Sequence, residues 1–274
     1  MFKFIDLFSG IGGFHRGCAL EGGKCVLASD INEVANASYY ENYGIRPHGD
    51  IYSIESSDIP DFDLLCAGFP CQAFSQVGQR GGLNDERGVL IFEVLRILRD
   101  KQPKAFILEN VKGLMSIDNC NVYRMIIEEL DKVGYKVNVK VLEAKDYGTP
   151  QLRKRLFFVG VRKDIKTIFS FPDPIPLKYT FSEIMGGQTA RDYSFTIRIG
   201  GRRSGIDNRY NWDCYLVDGK PRYITPEECL MLQGFDRDFK LCGNESQRYA
   251  QVGNSVPVYA VNEIVKKLRS LKII

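Results

Sequence analysis

Lys3-Phe4-Ile5-Asp6-Leu7-Phe8-Ser9-Gly10-Ile11-Gly12-Gly13 is an apolar run of strand length that breaks into a glycine loop. A helical segment, His15–Leu20, follows and stops at Gly22-Gly23, and a second strand, Cys25–Ser29, ends at Asp30. Strand, glycine loop, helix and strand closed by an acidic residue make up the opening unit of a nucleotide-binding sheet. There the carboxylate reaches ribose hydroxyls and the glycines let a ligand approach the backbone. The glycines stand at 10, 12, 13 and 17, which departs from G-x-G-x-x-G. A nucleoside cofactor is therefore indicated, but not NAD in particular. Phe8, just before the loop, is placed to stack on a purine. The plainer alternative is that these glycines only permit a tight turn.

Working outward, the same alternation continues. A strand at Asp63–Ala67 runs into Gly68-Phe69-Pro70-Cys71, and Val89–Leu98 has helical apolar spacing. Ala105–Leu108 is again a strand and ends at Glu109-Asn110. A helix over Val122–Val133 stops at Gly134, and strand-like runs follow at Lys136–Leu142 and Leu156–Val161. The pattern predicts an α/β fold with a doubly wound, mostly parallel sheet, whose ligands gather at the carboxyl ends of the strands. Asp30, Cys71 and Glu109 all fall at such ends. After residue 163 the texture changes to prolines, glycines and arginines. Between Lys145 and Arg222 there are 15 basic and 8 acidic residues, a surplus that the near-neutral total of +3 conceals. A solvated, loop-rich insertion and a polyanion-binding surface both fit that charge. Regular structure resumes at the capping box Thr225-Pro226-Glu227-Glu228, and a last amphipathic helix spans Val258–Leu268. The expected division is a larger unit, residues 1–163 completed by 244–274, and a smaller one, 164–243.

Whole classes of function drop out. With 274 residues, 44% of them hydrophobic, the chain can bury a full core without staples. No apolar run approaches membrane-spanning length, and Asp6 interrupts the first apolar stretch, so neither insertion nor secretion is expected and the cytoplasm is the expected location. Eight cysteines occur with no C-x-x-C pair, and there are two histidines, His15 and His48. Zinc ribbons and thioredoxin-type redox sites lack their C-x-x-C pair, neither histidine sits in a context that fits Ser-His-Asp chemistry, and no metal is expected.

Several groups are candidates for chemistry. Cys71 follows Pro70 at a strand end, ahead of Gly78, Gly81, Gly82 and Gly88, a spacing that suits a glycine-hinged lid. It is either a nucleophile or, like most lone cysteines, a packing residue. Glu109 ends the neighbouring strand, where a carboxylate would stand beside that cysteine or else cap a helix. Arg153 and Arg155, two apart in Gln151-Leu152-Arg153-Lys154-Arg155, would share one face of a strand.

Taken in order, these blocks closely resemble the C5-cytosine DNA methyltransferases. The resemblance rests on Asp6–Gly13, on Gly68-Phe69-Pro70-Cys71-Gln72-Ala73-Phe74-Ser75, on Glu109-Asn110-Val111 and on Gln151-x-Arg153-x-Arg155. It continues in Gln233-Gly234-Phe235 after the Thr225 cap, and in Gln251-Val252-Gly253-Asn254-Ser255-Val256-Pro257. Residues 164–222 lack a strong match, and there the family carries its variable target-recognition region. The resemblance implies a Rossmann-like fold dependent on S-adenosylmethionine, with a small target-recognition domain. Cys71 would be the nucleophile that adds to cytosine C6, Glu109 would act at N3, and Arg155 would hold O2. Arg153 would support phosphate or thiolate, and Asn110 would help position the loop and base. The cofactor residues implied are Phe8, Ser9, Gly10, Gly12, Gly13, Asp30, Ile31, Asp50, Ile51, Pro70, Asn254, Ser255 and Val256. Duplex DNA would be held by Gln72, Ser75, Gln79, Arg80 and Arg87 of the lid and by Arg198, Arg202, Arg203 and Arg209. The base would be flipped out of the helix. The expected form is a monomer on double-stranded DNA, and a cognate restriction endonuclease is the further partner such a system would add.

Three rival readings fit the sequence less well. Transfer-RNA cytosine methyltransferases share these blocks but usually carry a Cys-Phe-Thr tripeptide in the recognition segment, absent here. An oxidoreductase gives no reason for Pro70-Cys71 or the paired arginines. A binding module without catalysis has no need of Cys71, Glu109 and Arg155 together.

Overall fold

Phe4, Ile5, Asp6 and Leu7 are all buried, so the first strand has both faces covered and sits inside the sheet. The computed structural model describes residues 1–70, 90–200 and 202–274. Strand β1 (Lys3–Leu7) pairs in parallel with β2 (Lys24–Ser29) on one side and with β3 (Leu64–Ala67) on the other. Next to β3 lies β4 (Ala105–Val111), also parallel. The last two strands, β5 (Tyr135–Glu143) and β6 (Lys154–Arg162), pair antiparallel, and β6 joins β4 antiparallel, giving the order β2-β1-β3-β4-β6-β5. The sheet is thus parallel over four strands, and β6, lying between β4 and the edge strand β5, runs the other way. The cause is local. Between β5 and β6 there is only one short 3-10 turn, Ala144–Asp146, too little chain for the crossover a parallel return requires.

Side-chain alternation sends Ile5 and Leu7 to one face and Phe4 to the other. On the first face pack α3 (Leu90–Lys101) and α4 (Asn121–Lys132), through Ile91, Leu95, Ile126 and Leu130. The second face is covered by α1 (Gly13–Ala19) and α8 (Val258–Ser270), through Cys18, Val261, Ile264 and Leu268. A Cβ on Gly17 would stand 2.6 Å from Val261 Cγ1, so α1 and α8 touch backbone to side chain. Within this layer His15 Nδ1 shares a 2.7 Å hydrogen bond with the Tyr39 hydroxyl, and its ring stacks on Tyr43 at 3.8 Å. Burial, helped by the charge of Arg16, pulls His15 down to about 4, so it is neutral in the folded protein at pH 7.

Helix α2 (Glu33–Tyr43) follows β2, with Asn32 accepting hydrogen bonds from the Val34 and Ala35 amides and Gly44 ending it in the left-handed conformation. The later part of the chain holds α5 (Phe181–Met185), a hairpin of β7 (Cys214–Val217) and β8 (Lys220–Tyr223), α6 (Pro226–Gln233) and α7 (Glu245–Asn254). Their shared core is built around Trp212, Tyr215 and Leu230, and takes in Ile11, Ala35 and Val258 from the sheet layers. Among the described residues no helix is long and apolar enough to cross a membrane.

From β1 the chain moves one way to β2, then crosses back over β1 to form β3. A crevice must open where two neighbouring strands send their connections in opposite directions. The cleft described below opens at that crevice, between the ends of β1 and β3.

Candidate active site

Leaving β1, the backbone enters the left-handed region at Phe8 (φ 54°), Gly10 (φ 51°) and Gly12 (φ 83°). For Phe8 that conformation costs about 1–2 kcal/mol, which the surrounding loop must supply. Asp30 supplies part of the hold: one carboxylate oxygen accepts from the Gly10 amide at 2.8 Å and the other from the Asn32 amide at 2.8 Å. Asp50 caps the turn Ile51–Ser53, accepting from the Tyr52 amide at 3.0 Å. The far end of the chain arrives at the same place, since a Cβ on Gly13 would be 2.6 Å from Ser255 Oγ and 2.9 Å from Val256 Cγ2.

These segments enclose one cleft of about 920 Å³. It is lined by Phe8, Ser9, Gly10, Gly13, Asp30, Ile31, Asp50, Ile51, Pro70, Asn254, Ser255 and Val256, together with Glu109, Asn110, Arg153 and Arg155. Gly12 stands apart from this lining: its α-carbon faces the Tyr43 ring, 2.4 Å from where a Cβ would lie, and its role is to let the loop pass the aromatic layer. Asn32, Val34, Ala35 and Gln247 also line the cleft. Only the capping signals at Asn32 and Asn244 could have pointed to them, through the two helices that carry them. The lining suits S-adenosylmethionine. It offers the carboxylates of Asp30 and Asp50, apolar surface at Phe8 and exposed Ile31, and the buried Ser9 hydroxyl, which has no partner among the described residues.

The floor of the cleft holds a buried charged pair. Antiparallel pairing sets Phe157 opposite Glu109 and Arg155 opposite Val111, so the start of β6 meets the end of β4. Arg155 Nε donates to Glu109 Oε1 at 2.8 Å, and the Glu109 residue is 8% exposed. Burial raises the Glu109 carboxyl, with Arg155 and then Arg153 pulling it partly back. Such a group can lend a proton or a strong hydrogen bond to a ring nitrogen. Asn110 Nδ2 donates to the Phe69 carbonyl at 2.8 Å, which pins the backbone next to Pro70.

Arg153 directly precedes β6 and is 1% exposed. Its Nη2 donates to the carbonyls of Gly253 (2.8 Å) and Ser255 (2.7 Å), and Nη1 to that of Ile197 (3.3 Å). Those carbonyls include the C-terminal end of α7, where a cation is favoured. The guanidinium thus binds backbone from two distant segments. Gln151 beside it bonds the Leu232 carbonyl at 2.9 Å and accepts from the Ile197 amide at 3.3 Å.

Of the arginines expected to meet DNA, Arg198 and Arg209 are exposed, Arg209 lying over the Tyr210 ring. Arg202 and Arg203 reach Glu245 at 3.4 and 3.7 Å. Ile199, 59% exposed, lines the cleft beside them. Cys71, Gln72, Ser75, Gln79, Arg80 and Arg87 lie outside the described residues. Among those described, no cluster of three or more His, Cys, Asp or Glu side chains could hold a metal.

Known proteins agree with this geometry. The sequence matches the C-5 cytosine-specific DNA methylase family over residues 2–198 and 184–270. It is 38% identical over 301 residues to the type II methyltransferase M.DsaV of Dactylococcopsis salina, covering 98% of this chain and 86% of that protein. With the type II methyltransferase M.HhaI of Haemophilus parahaemolyticus it shares 34% over 310 residues, 98% of this chain and 94% of the other. The solved structure of the Entamoeba histolytica methyltransferase EhMeth superposes with a TM-score of 0.79 at 19% identity, over 98% of each chain, and so has the same fold. Glycine loop, paired Glu109 and Arg155, and near full-length likeness converge: this chain belongs to the C-5 cytosine-specific DNA methylase family.

Proposed function

We propose that this enzyme transfers a methyl group from S-adenosylmethionine to C5 of a cytosine flipped out of a short, specific duplex DNA site, through a covalent bond between Cys71 and C6. The observation that carries the reading is the buried Glu109–Arg155 pair, set in the same cleft as the glycine loop and Asn254–Val256. Carbon 5 of cytosine is a poor nucleophile. The Cys71 thiolate adds to C6 while Glu109 protonates or hydrogen-bonds N3, so the ring gains enamine character and C5 becomes nucleophilic. Arg155, fixed by Glu109, is placed to hold O2. Bound S-adenosylmethionine supplies an electrophilic methyl on a sulfonium; Asp30, Asp50 and Ser9 are the polar groups that would hold it, with Phe8 and Ile31 against its purine. Once C5 carries the methyl, loss of its proton expels the Cys71 thiolate and restores the aromatic ring. Asn110 positions the backbone that leads to Cys71. Arg198, Arg203 and Arg209 are exposed cations available to phosphates or guanine edges.

DNA rather than transfer RNA is favoured by the missing Cys-Phe-Thr tripeptide and by the type II relatives. We take the working form to be a monomer in a restriction–modification system with a cognate endonuclease. The test is transfer of labelled methyl to unmethylated duplex DNA, with transfer RNA in parallel and bisulfite sequencing to locate the base. Label in DNA at cytosine is expected. With Cys71→Ala, transfer is abolished and cofactor binding is kept. Label in RNA alone overturns the substrate, and turnover by the alanine variant overturns the covalent step.

A further inference from the structure

We propose that Arg202 is a positioning residue, which seats the recognition segment on helix α7 and does not itself touch DNA. The proposal rests on the reading that duplex DNA enters the cleft. Its basis is how fully the protein itself uses this arginine. Nη2 donates to Ser246 Oγ at 2.8 Å, Nη1 lies 3.4 Å from Glu245 Oε1, and the guanidinium carbon sits 4.4 Å over the Tyr249 ring. The side chain is 20% exposed. An ordinary surface ion pair contributes little, but a planar guanidinium stacked on an aromatic face and bonded at its edge is a different case. A phosphate or guanine drawing Arg202 away from α7 would have to compete with all three contacts.

The platform under it is rigid. Tyr249 is 5% exposed, donates its hydroxyl to the Ile224 carbonyl, and lies edge-on to Trp212 with ring centres 6.0 Å apart. Trp212 in turn donates to the Gly200 carbonyl at 2.9 Å, and Asp213 accepts from the Arg203 amide at 2.8 Å. At the other end of the segment Arg153 holds the Ile197 carbonyl. Between these anchors stand Arg198 and Ile199, both exposed, with Ile199 on the cleft. Helix α7 also lines the cleft through Gln247, Gln251 and Asn254. One helix therefore carries the recognition segment and forms a cofactor-side wall. What Arg202 fixes is where Arg198 and Ile199 stand relative to the reacting base.

The test has two arms on the full-length protein. Without DNA, backbone hydrogen exchange over residues 197–206 is compared for wild type and Arg202→Gln; the variant should exchange about tenfold faster there, a local opening easier by roughly 1.4 kcal/mol. With DNA, binding to the methylated-site duplex and to a scrambled duplex is measured against salt for wild type, Arg202→Gln, Arg202→Lys, Glu245→Gln and the Arg202→Gln/Glu245→Gln double variant. We expect discrimination to fall about tenfold in both Arg202 variants, the salt slope to hold, and the double variant to be no worse than Arg202→Gln alone. Unchanged exchange overturns the proposal. So does a slope shallower by about 0.9 with equal loss on both duplexes, the mark of a phosphate contact. If wild type binds no duplex, the functional reading fails, and the exchange arm still decides the positioning role.

Discussion

Glu109 shows how one side chain acquires its chemistry from its neighbours. Without the buried site it would be an ordinary carboxylate; without Arg155 it would be an unpaired buried acid. Glu109→Gln keeps the shape and loses the titration, so kcat should fall by about 10²–10⁴ while cofactor affinity holds, as single-turnover assays and calorimetry will show. Because burial raises the carboxyl, wild-type activity should persist to a higher pH than a free glutamate would allow and decline as pH rises through the raised value; the Gln variant should lose that limb. His15 makes the opposite kind of statement, about stability. Its folded value is about 4 against 6.5 in the unfolded chain, so its contribution is complete above pH 6.5 and is lost as pH falls towards 4. The cost is roughly 1.4 kcal/mol per pH unit, and thermal melts of His15→Gln should show a flatter acid limb. From the sequence Glu109 could be read as a strand-end carboxylate, and Asp30 likewise. The surroundings of Arg153 could not. Periodicity placed it on a face shared with Arg155, but its partners are backbone carbonyls of residues 197, 253 and 255, which no local pattern reveals.

At the scale of elements, the close approach of α1 to α8 is the most exacting contact. Gly17→Ala would place a methyl 2.6 Å from Val261 Cγ1 and 3.0 Å from the Val258 carbonyl. It should cost about 1–3 kcal/mol in denaturant unfolding, since the backbone cannot yield as a side-chain tip can. Gly13→Ala meets Ser255 Oγ and the Val256 carbonyl, both on the cleft wall, so it should weaken cofactor binding more than it lowers the melting temperature. The six strands of the main sheet and the helices with an apolar stripe could be read from the sequence; the β7–β8 hairpin, two strands of four residues each, was not. Helix α2 was not, because its buried residues are Ala35, Ser38 and Tyr39 and give no stripe; its Asn32 cap and Gly44 stop were the readable signals. Helix α7 escaped for a similar reason, its Asn244–Gln247 capping box preceding a polar run.

For the whole molecule, the strand–helix alternation predicted the parallel part of the sheet, and the reversal at β5 and β6 emerged only with the short link between them. That reversal is what brings Arg155 to Glu109. It also means that the basic stretch from Lys145 to Arg222 begins at the catalytic floor and runs out into the recognition segment, so charge and chemistry are continuous. Duplex binding should therefore weaken steeply with salt, and a plot of log affinity against log salt should be linear with a slope near −0.9 for each phosphate neutralised. The cleft itself is walled by residues 8–13 on one side and 253–256 on the other. In the life of the protein this is a matter of timing. A ribosome that has made the sheet, the Glu109–Arg155 pair and the recognition segment has not yet made residues 253–256, so one wall of the cleft is still missing. The cleft is completed only when residues 253–256 emerge and pack against Gly13.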